Sequence, residues 1–164
     1  MNQRTIHNLT WLPIFIVGIA SVGLGGLWCL HPEPWLLDQL PNEILLRTKF
    51  SELFSANINV HLPDYLIVIY RFFGWWLIAL GLIIITYLLS TRMGTKFARD
   101  SINMVLFIVL VGLYYLVFSF IPKSPFVPIL YVFTLLLSCS VYFSRRLGEY
   151  GEIAILCVQI DLLF

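Results

Sequence analysis

One arginine lies inside a long apolar segment of this sequence. Arg71 is the only charged residue between Tyr65 and Ser90. A guanidinium group offers a planar fork of donors that suits a carboxylate, a phosphate or a carbonyl oxygen. Arg71 is therefore the residue that we first consider for binding an anionic or carbonyl-bearing ligand.

Aromatic side chains with a polar atom could complete such a site, because each combines an apolar ring with a hydrogen-bond donor. At a rise of about 1.5 Å per residue, Arg71 and three tyrosines of two later segments fall at about 9 to 10 Å from the same ends of their helices. We predict a small pocket there, open to the outer leaflet, for a lipid, a quinone or a similar amphiphile. Its members are Arg71, Tyr114, Tyr115 and Tyr131, together with Trp75, which lies deeper, at about 15 Å from the outer end of its helix.

Two simpler interpretations of these residues stay open. Arg71 could keep its stem in lipid and extend its charge to the headgroups, or it could pair with Asp64. The aromatic residues could be ordinary packing, with hydrogen bonds between helices.

The apolar segments lack the residues that catalysis or ion pumping would use. They contain no Asp, Glu, Lys or His, and proton-coupled transporters normally need an ionisable group at that depth. Cys29, Cys139 and Cys157 are far apart and form no ligand spacing. We predict no catalytic residue, no metal site and no cofactor, so an enzyme is the less favoured class.

Composition identifies the solvent of this chain. Its 164 residues are 60% hydrophobic and only 12% charged, whereas a soluble domain is about half apolar and a quarter charged. A spanning helix needs about 20 apolar residues, and a lipid-exposed strand would leave backbone groups unpaired. We predict an all-α, single-domain integral membrane four-helix bundle, and the net charge of +1 favours no nucleic-acid partner. The expected spans are residues 11–30, 65–90, 102–121 and 125–144, and Ser124 before Pro125 is the expected N-cap of the fourth.

The distribution of basic residues predicts the orientation. Short cytoplasmic segments of membrane proteins carry an excess of Lys and Arg. The segments before the first span, between the second and third, and after the fourth hold such residues: Arg4, Arg92, Lys96, Arg99, Arg145 and Arg146. We predict both termini inside, in a bacterial cytoplasmic (inner) membrane.

Two segments outside the spans are predicted to meet the membrane or a partner. Residues 31–64 form the outer loop, in which Asn42 could cap a short amphipathic helix whose apolar residues include Phe50 and Phe54. An ordered loop with one helical turn is the alternative. Residues 145–164 form a cytoplasmic tail. Its last part, Ile153 to Phe164, is almost wholly apolar, so we expect it to rest on lipid headgroups or to dock against a protein.

Glycines mark where helices could approach closely. In the second span, Gly74 and Gly81 lie on one face, which lets another helix approach its backbone. In the first span, Gly18, Gly23, Gly25 and Gly26 could serve similarly.

An arginine-then-glycine pattern opens the second span: Tyr70-Arg71-Phe72-Phe73-Gly74, followed by Leu80-Gly81-Leu82. With the proline-containing segment from Pro32 to Pro41, it resembles the DoxX-like group of small four-helix membrane proteins. The resemblance covers residues 1–90 and implies a bundle that belongs to a membrane complex, because the founding member looks like a subunit of a terminal quinol oxidase. It transfers no catalytic residue.

These observations favour a non-enzymatic membrane protein, an accessory or assembly subunit of a larger complex. Membrane lipid and a protein partner are its expected contacts. The alternative function is a binding protein for a lipid, quinone or similar amphiphile.

Overall fold

The computed structural model describes the backbone of residues 2–161 and the side chains of residues 2–147, and the described part is all-α. In chain order the elements are α1 (Gln3–Leu30), a 3-10 helix (Pro34–Asp38), α2 (Gln39–Leu46), α3 (Phe50–Ser55), a second 3-10 helix (Asn57–Asn59), α4 (Leu62–Thr91), α5 (Lys96–Phe120) and α6 (Phe126–Asp161). The predicted fold class is confirmed.

Four of these helices, α1, α4, α5 and α6, are long and apolar enough to cross a membrane. They correspond to the four predicted spans, and each continues further than its apolar core. Thr95 caps α5, since its side chain accepts a hydrogen bond of 3.2 Å from the amide of Ala98, and α5 therefore begins six residues before the predicted span. The predicted N-cap Ser124 is confirmed by a 3.2 Å bond from the amide of Phe126.

The bundle has two unlike ends. We call residues 31–61, with their short helices, the cap segment. The cap end is the end of the bundle that holds the cap segment and the turn 121–125. The opposite end, the basic end, holds the start of α1, the turn 92–95 and the part of α6 around Arg145. Helix α6 continues without a break past residue 145, where the predicted cytoplasmic tail begins, to Asp161.

Helix α1 is the central element. Its backbone approaches both α4 and α6 closely, and α5 approaches α6, whereas the consecutive helices α4 and α5 approach each other less closely. One apolar cluster joins all four helices. Its buried members include Ile14 and Val17 of α1, Ile84 and Leu88 of α4, Leu106 and Leu110 of α5, and Leu130 and Leu137 of α6.

The contact between α1 and α4 depends on two pairs of glycines. Gly25 faces Gly74, and Gly18 faces Gly81. A Cβ atom added at Gly74 would lie 2.7 Å from the carbonyl oxygen of Gly25, and one added at Gly81 would lie 2.6 Å from that of Gly18. These distances are too short for any side chain, so the two backbones touch directly.

The prediction that Gly23 and Gly26 of α1 also allow a close helix approach is wrong. A Cβ atom at Gly23 or Gly26 would meet no atom within 4 Å. Residues on a helix turn by about 100° each, so Gly23 lies on the far side of α1 from Gly25.

Replacing a contact glycine should therefore separate the helices. We expect Gly74→Ala and Gly81→Ala to lower the unfolding free energy by about 1 to 3 kcal/mol, the usual cost of forcing extra atoms into a packed contact. The measurement is denaturant titration of the purified protein in mixed micelles.

Gly23→Ala and Gly112→Ala are the matched controls, because added Cβ atoms at both positions meet open space. Alanine favours a helix by up to about 1 kcal/mol over glycine, so these variants should be as stable as the wild type or slightly more so. A similar loss of stability in all four variants would contradict the assignment of the contact.

Candidate functional site

The structure places the five predicted binding residues on three helices. Arg71 is exposed on α4. Trp75 of α4 is 65% exposed, Tyr115 of α5 is 66% exposed and Tyr131 of α6 is 53% exposed. Most of this set thus faces outward from the bundle, on the surface that lipid would cover.

Only one pair of the set is brought together by a described contact. The rings of Tyr114 and Tyr131 lie 6.5 Å apart, and the hydroxyl group of Tyr114 lies 2.8 Å from that of Thr134. Arg71 and Trp75 are on α4, whose closest backbone neighbour is α1. The joint role of all five residues in binding stays a prediction.

The glycine pairs fix the depth of Arg71. Because α1 and α4 are antiparallel and Gly74 faces Gly25, Arg71 lies level with Trp28 in the last turn of α1. The Sγ atom of Cys29 confirms this level, since it lies 3.5 Å from the backbone carbonyl oxygen of Arg71. The side chain of Arg71 therefore starts close to the end of α1, and its long stem can extend the guanidinium group to the headgroups.

Polar groups are buried where α6 crosses α1. Pro13 lies inside α1 and has no amide hydrogen, so the carbonyl group of Leu9 loses its helical donor. Helix α6 supplies donors at this point. The hydroxyl group of Ser140 donates to the carbonyl of Thr10 over 2.7 Å, and the Sγ atom of Cys139 lies 4.0 Å from the carbonyl oxygen of Leu9.

Helix α5 joins the same polar contact. Ser140 lies 3.1 Å from Oδ1 of Asn103, and both side chains are buried, as is Thr10. Buried polar groups are costly unless they are hydrogen-bonded. The cluster therefore fixes the relative positions of α1, α5 and α6.

A buried cation lies next to this cluster, and it is Arg99 rather than Arg71. Arg99 is only 4% exposed. Its Nε atom donates to the hydroxyl oxygen of Ser144 over 3.1 Å, and its Nη1 atom donates to the carbonyl oxygens of Met93 and Gly94 over 3.2 Å each. The guanidinium thus ties the turn between α4 and α5 to α6.

Few features of the sequence indicate these buried polar groups. Arg99 looks like one of several basic residues near a span end, and its burial depends on a carbonyl pair and a serine that only the folded chain brings together. Pro13 inside an apolar segment was the one available signal, because its missing amide requires a donor from elsewhere. Hydroxyl, amide and guanidinium groups arranged in this way hold helices together, and each of these bonds joins two elements or supports a turn.

A third polar contact anchors the cap segment to α4. The hydroxyl group of Tyr70 donates to Oδ1 of Asp38 over 2.8 Å, and Nδ2 of Asn42 donates to the same hydroxyl over 2.8 Å. Burial raises the pKa of the Asp38 carboxyl above its usual value, although the bond from Tyr70 acts in the opposite direction. The prediction that Asn42 is an N-cap is wrong, because α2 already begins at Gln39 and Asn42 lies inside it.

The described residues form no group of three or more His, Cys, Asp or Glu side chains that could hold a metal ion. His31, at the end of α1, instead accepts a hydrogen bond of 3.1 Å from the amide of Glu33.

No family model, curated protein or solved structure matches this chain.

The cluster at Pro13 makes a direct prediction. Ser140→Ala should lower the unfolding free energy by about 0.5 to 1.5 kcal/mol, because the hydrogen bond from α6 to the carbonyl of Thr10 is lost. Ser138→Ala is the matched control on the same helix, since Ser138 is exposed. We expect it to change stability by less than about 0.5 kcal/mol, and equal effects of the two substitutions in denaturant titration would refute the role of Ser140.

Proposed function

We propose that this chain is a non-enzymatic membrane protein that serves as an accessory or assembly subunit of a larger membrane complex. The observation that carries the proposal is the length of α6. Its 36 residues extend about 54 Å at about 1.5 Å per residue, whereas the hydrocarbon core of a bilayer is about 30 Å thick.

The part of α6 beyond the bundle has an unusual composition. From Ile153 to Ile160 every residue except Gln159 is apolar. A helix that is hydrophobic on all sides is normally buried, and water would not solvate this one. A protein partner that receives the end of α6 satisfies both the length and the composition.

The use of the buried polar groups supports the same proposal. Ser140, Asn103 and Arg99 take part in bonds between helices or to a turn. Their role is to build a fixed bundle, which is what a scaffolding subunit requires. The resemblance to the DoxX-like group is in accord with membership of a complex and stays a prediction.

An amphiphile-binding protein is the second candidate. It is favoured by the pair of rings from Tyr114 and Tyr131, which lie 6.5 Å apart. Tyr131 is half exposed, and Tyr114 is partly buried. A lipid tail or a quinone ring could pack against them, with Arg71 near the headgroups.

Deleting residues 149–164 tests the first proposal. We expect the truncated bundle to melt like the wild type, because it retains the glycine pairs and the hydrogen bonds of Ser140 and Arg99, and to lose the proteins that co-purify from native membranes in mild detergent. A full-length variant with Ile155→Ser and Leu156→Ser should lose the same proteins, whereas Gln159→Ser should retain them. Unchanged co-purification after deletion would remove the end of α6 from any interface.

The proposed orientation has both termini in the cytoplasm of a bacterial cell, at the inner membrane. It is supported by the basic residues at the basic end, which include Arg4, Arg92 and Arg145.

Membrane-impermeant maleimide labelling of single cysteines checks this orientation. Ser55→Cys in the cap segment should react in intact spheroplasts, and Gly94→Cys should react only after lysis. Both positions are exposed, and a Cβ atom at Gly94 meets nothing closer than 3.8 Å. Reaction of Gly94→Cys alone from outside would reverse the proposed topology. Reaction of both cysteines from outside would exclude it.

A further inference from the structure

Helix α2 of the cap segment has one face turned away from the protein. Leu40 is 64% exposed, Ile44 is 51% exposed and Leu45 is 55% exposed. Leu40 and Ile44 share one side of α2, because positions four apart lie above one another on a helix, and Leu45 lies about 100° further round. On the side opposite Leu40 and Ile44, Asn42 is bound to Tyr70.

Hydrogen bonds hold α2 in this rotation. Asn42 donates to the hydroxyl of Tyr70 over 2.8 Å, and Oε1 of Glu43 accepts a 3.1 Å bond from the amide of Phe50, which begins α3. The apolar face cannot turn inward without breaking both bonds. Its exposure is therefore a built feature of the cap segment.

The interior of the cap segment is already filled by other residues. Trp35 and Phe50 are only 4% and 5% exposed, and both rings pack on Phe54, at 5.5 and 5.4 Å. The sequence grouped Phe50 and Phe54 with the apolar side of an amphipathic helix, but they form this small core instead. The exposed apolar surface of α2 thus has no place inside the segment.

The lipid-facing surface of α4 reaches the level of the cap segment. Tyr70 is the residue of α4 that contacts Asp38 and Asn42. Further toward the start of α4, Val68 is 65% exposed and Tyr65 is 61% exposed. The apolar, exposed surface of α4 therefore continues alongside the cap segment.

Two cations follow directly on the exposed face. Arg47 ends α2 in the left-handed conformation, with φ of 58°, and Lys49 precedes α3. Basic side chains that flank an apolar helix face are typical of helices lying in the membrane interface, where they meet lipid phosphates.

We propose that α2 inserts the apolar face formed by Leu40 and Ile44, together with the adjacent Leu45, into the acyl-chain boundary of the leaflet at the cap end, with Arg47 and Lys49 at the level of the phosphates. The occupant of this face is phospholipid. The inference goes beyond the proposed function and holds for either orientation of the chain in the membrane.

Fluorescence quenching by brominated lipid tests the inference on the full-length protein. In a background with Cys29, Cys139 and Cys157 changed to serine, Leu45→Cys carries an environment-sensitive nitrobenzoxadiazole label, and the protein is placed in phosphatidylcholine vesicles. The matched control is Ser51→Cys, an exposed polar position of α3 in the same cap segment.

We expect the label at residue 45 to show blue-shifted emission and to lose most of its intensity in vesicles whose acyl chains are brominated near the headgroup. The label at residue 51 should keep its intensity. Water-like, unquenched emission at residue 45 would place α2 in solvent. Blue-shifted emission that brominated lipid does not quench would mean that protein, either a partner or a second copy, covers the face. Either result would overturn the proposal.

Discussion

The direct contact of two helix backbones, α1 with α4, is the constraint on which the rest of this structure depends. In soluble proteins, water drives the apolar faces of helices together. Lipid gives no such drive between apolar helices, so close packing has to supply the attraction. Gly25 against Gly74 and Gly18 against Gly81 supply it here, at spacings where any Cβ atom would clash. The two pairs are one heptad apart on both helices, which also fixes the register.

That register determines what lies at the cap end. It places Arg71 level with the last turn of α1, next to Cys29, and it brings Tyr70 to the start of the cap segment. There Tyr70 binds Asp38 and Asn42. The rotation of α2, and hence the direction of its apolar face, follows from a contact made deeper in the bundle.

The other side of the bundle is held by a different kind of interaction. Helix α6 meets α1 where Pro13 leaves a carbonyl group without its donor, and Ser140 and Cys139 approach that point. Arg99 then links the turn that follows α4 with Ser144 of α6. Small residues thus join α1 to α4, and hydrogen bonds join α5, α6 and the basic end.

Local features of the sequence were sufficient to predict part of this arrangement. Length and apolar composition predicted the four spans, and Ser124 before a proline predicted the start of α6. Gly74 and Gly81 predicted that another helix approaches the second span closely. The partner glycines could not be chosen from sequence alone, since Gly18, Gly23, Gly25 and Gly26 differ only in the direction they face once α4 is in place.

Other features depend on residues that are far apart in sequence. Arg99 is buried because Ser144 and the carbonyls of Met93 and Gly94 surround it, and no local pattern distinguishes it from the exposed Arg92. Phe50 and Phe54 belong to the core of the cap segment because Trp35 lies beside them. Periodicity alone assigned them to a lipid-facing side.

A double-mutant cycle between Gly25 and Gly74 tests the central contact most directly. The unfolding free energy of Gly25→Ala, Gly74→Ala and the double variant would be measured by denaturant titration in mixed micelles, with Gly25→Ala combined with Gly112→Ala as the reference cycle. Separation of the helices by one alanine relieves the clash of the second, so the double variant should lose less stability than the two single losses added together, by about 0.5 to 3 kcal/mol. The reference cycle should be additive to within about 0.5 kcal/mol. Additivity in the Gly25–Gly74 cycle would contradict the direct contact of α1 and α4.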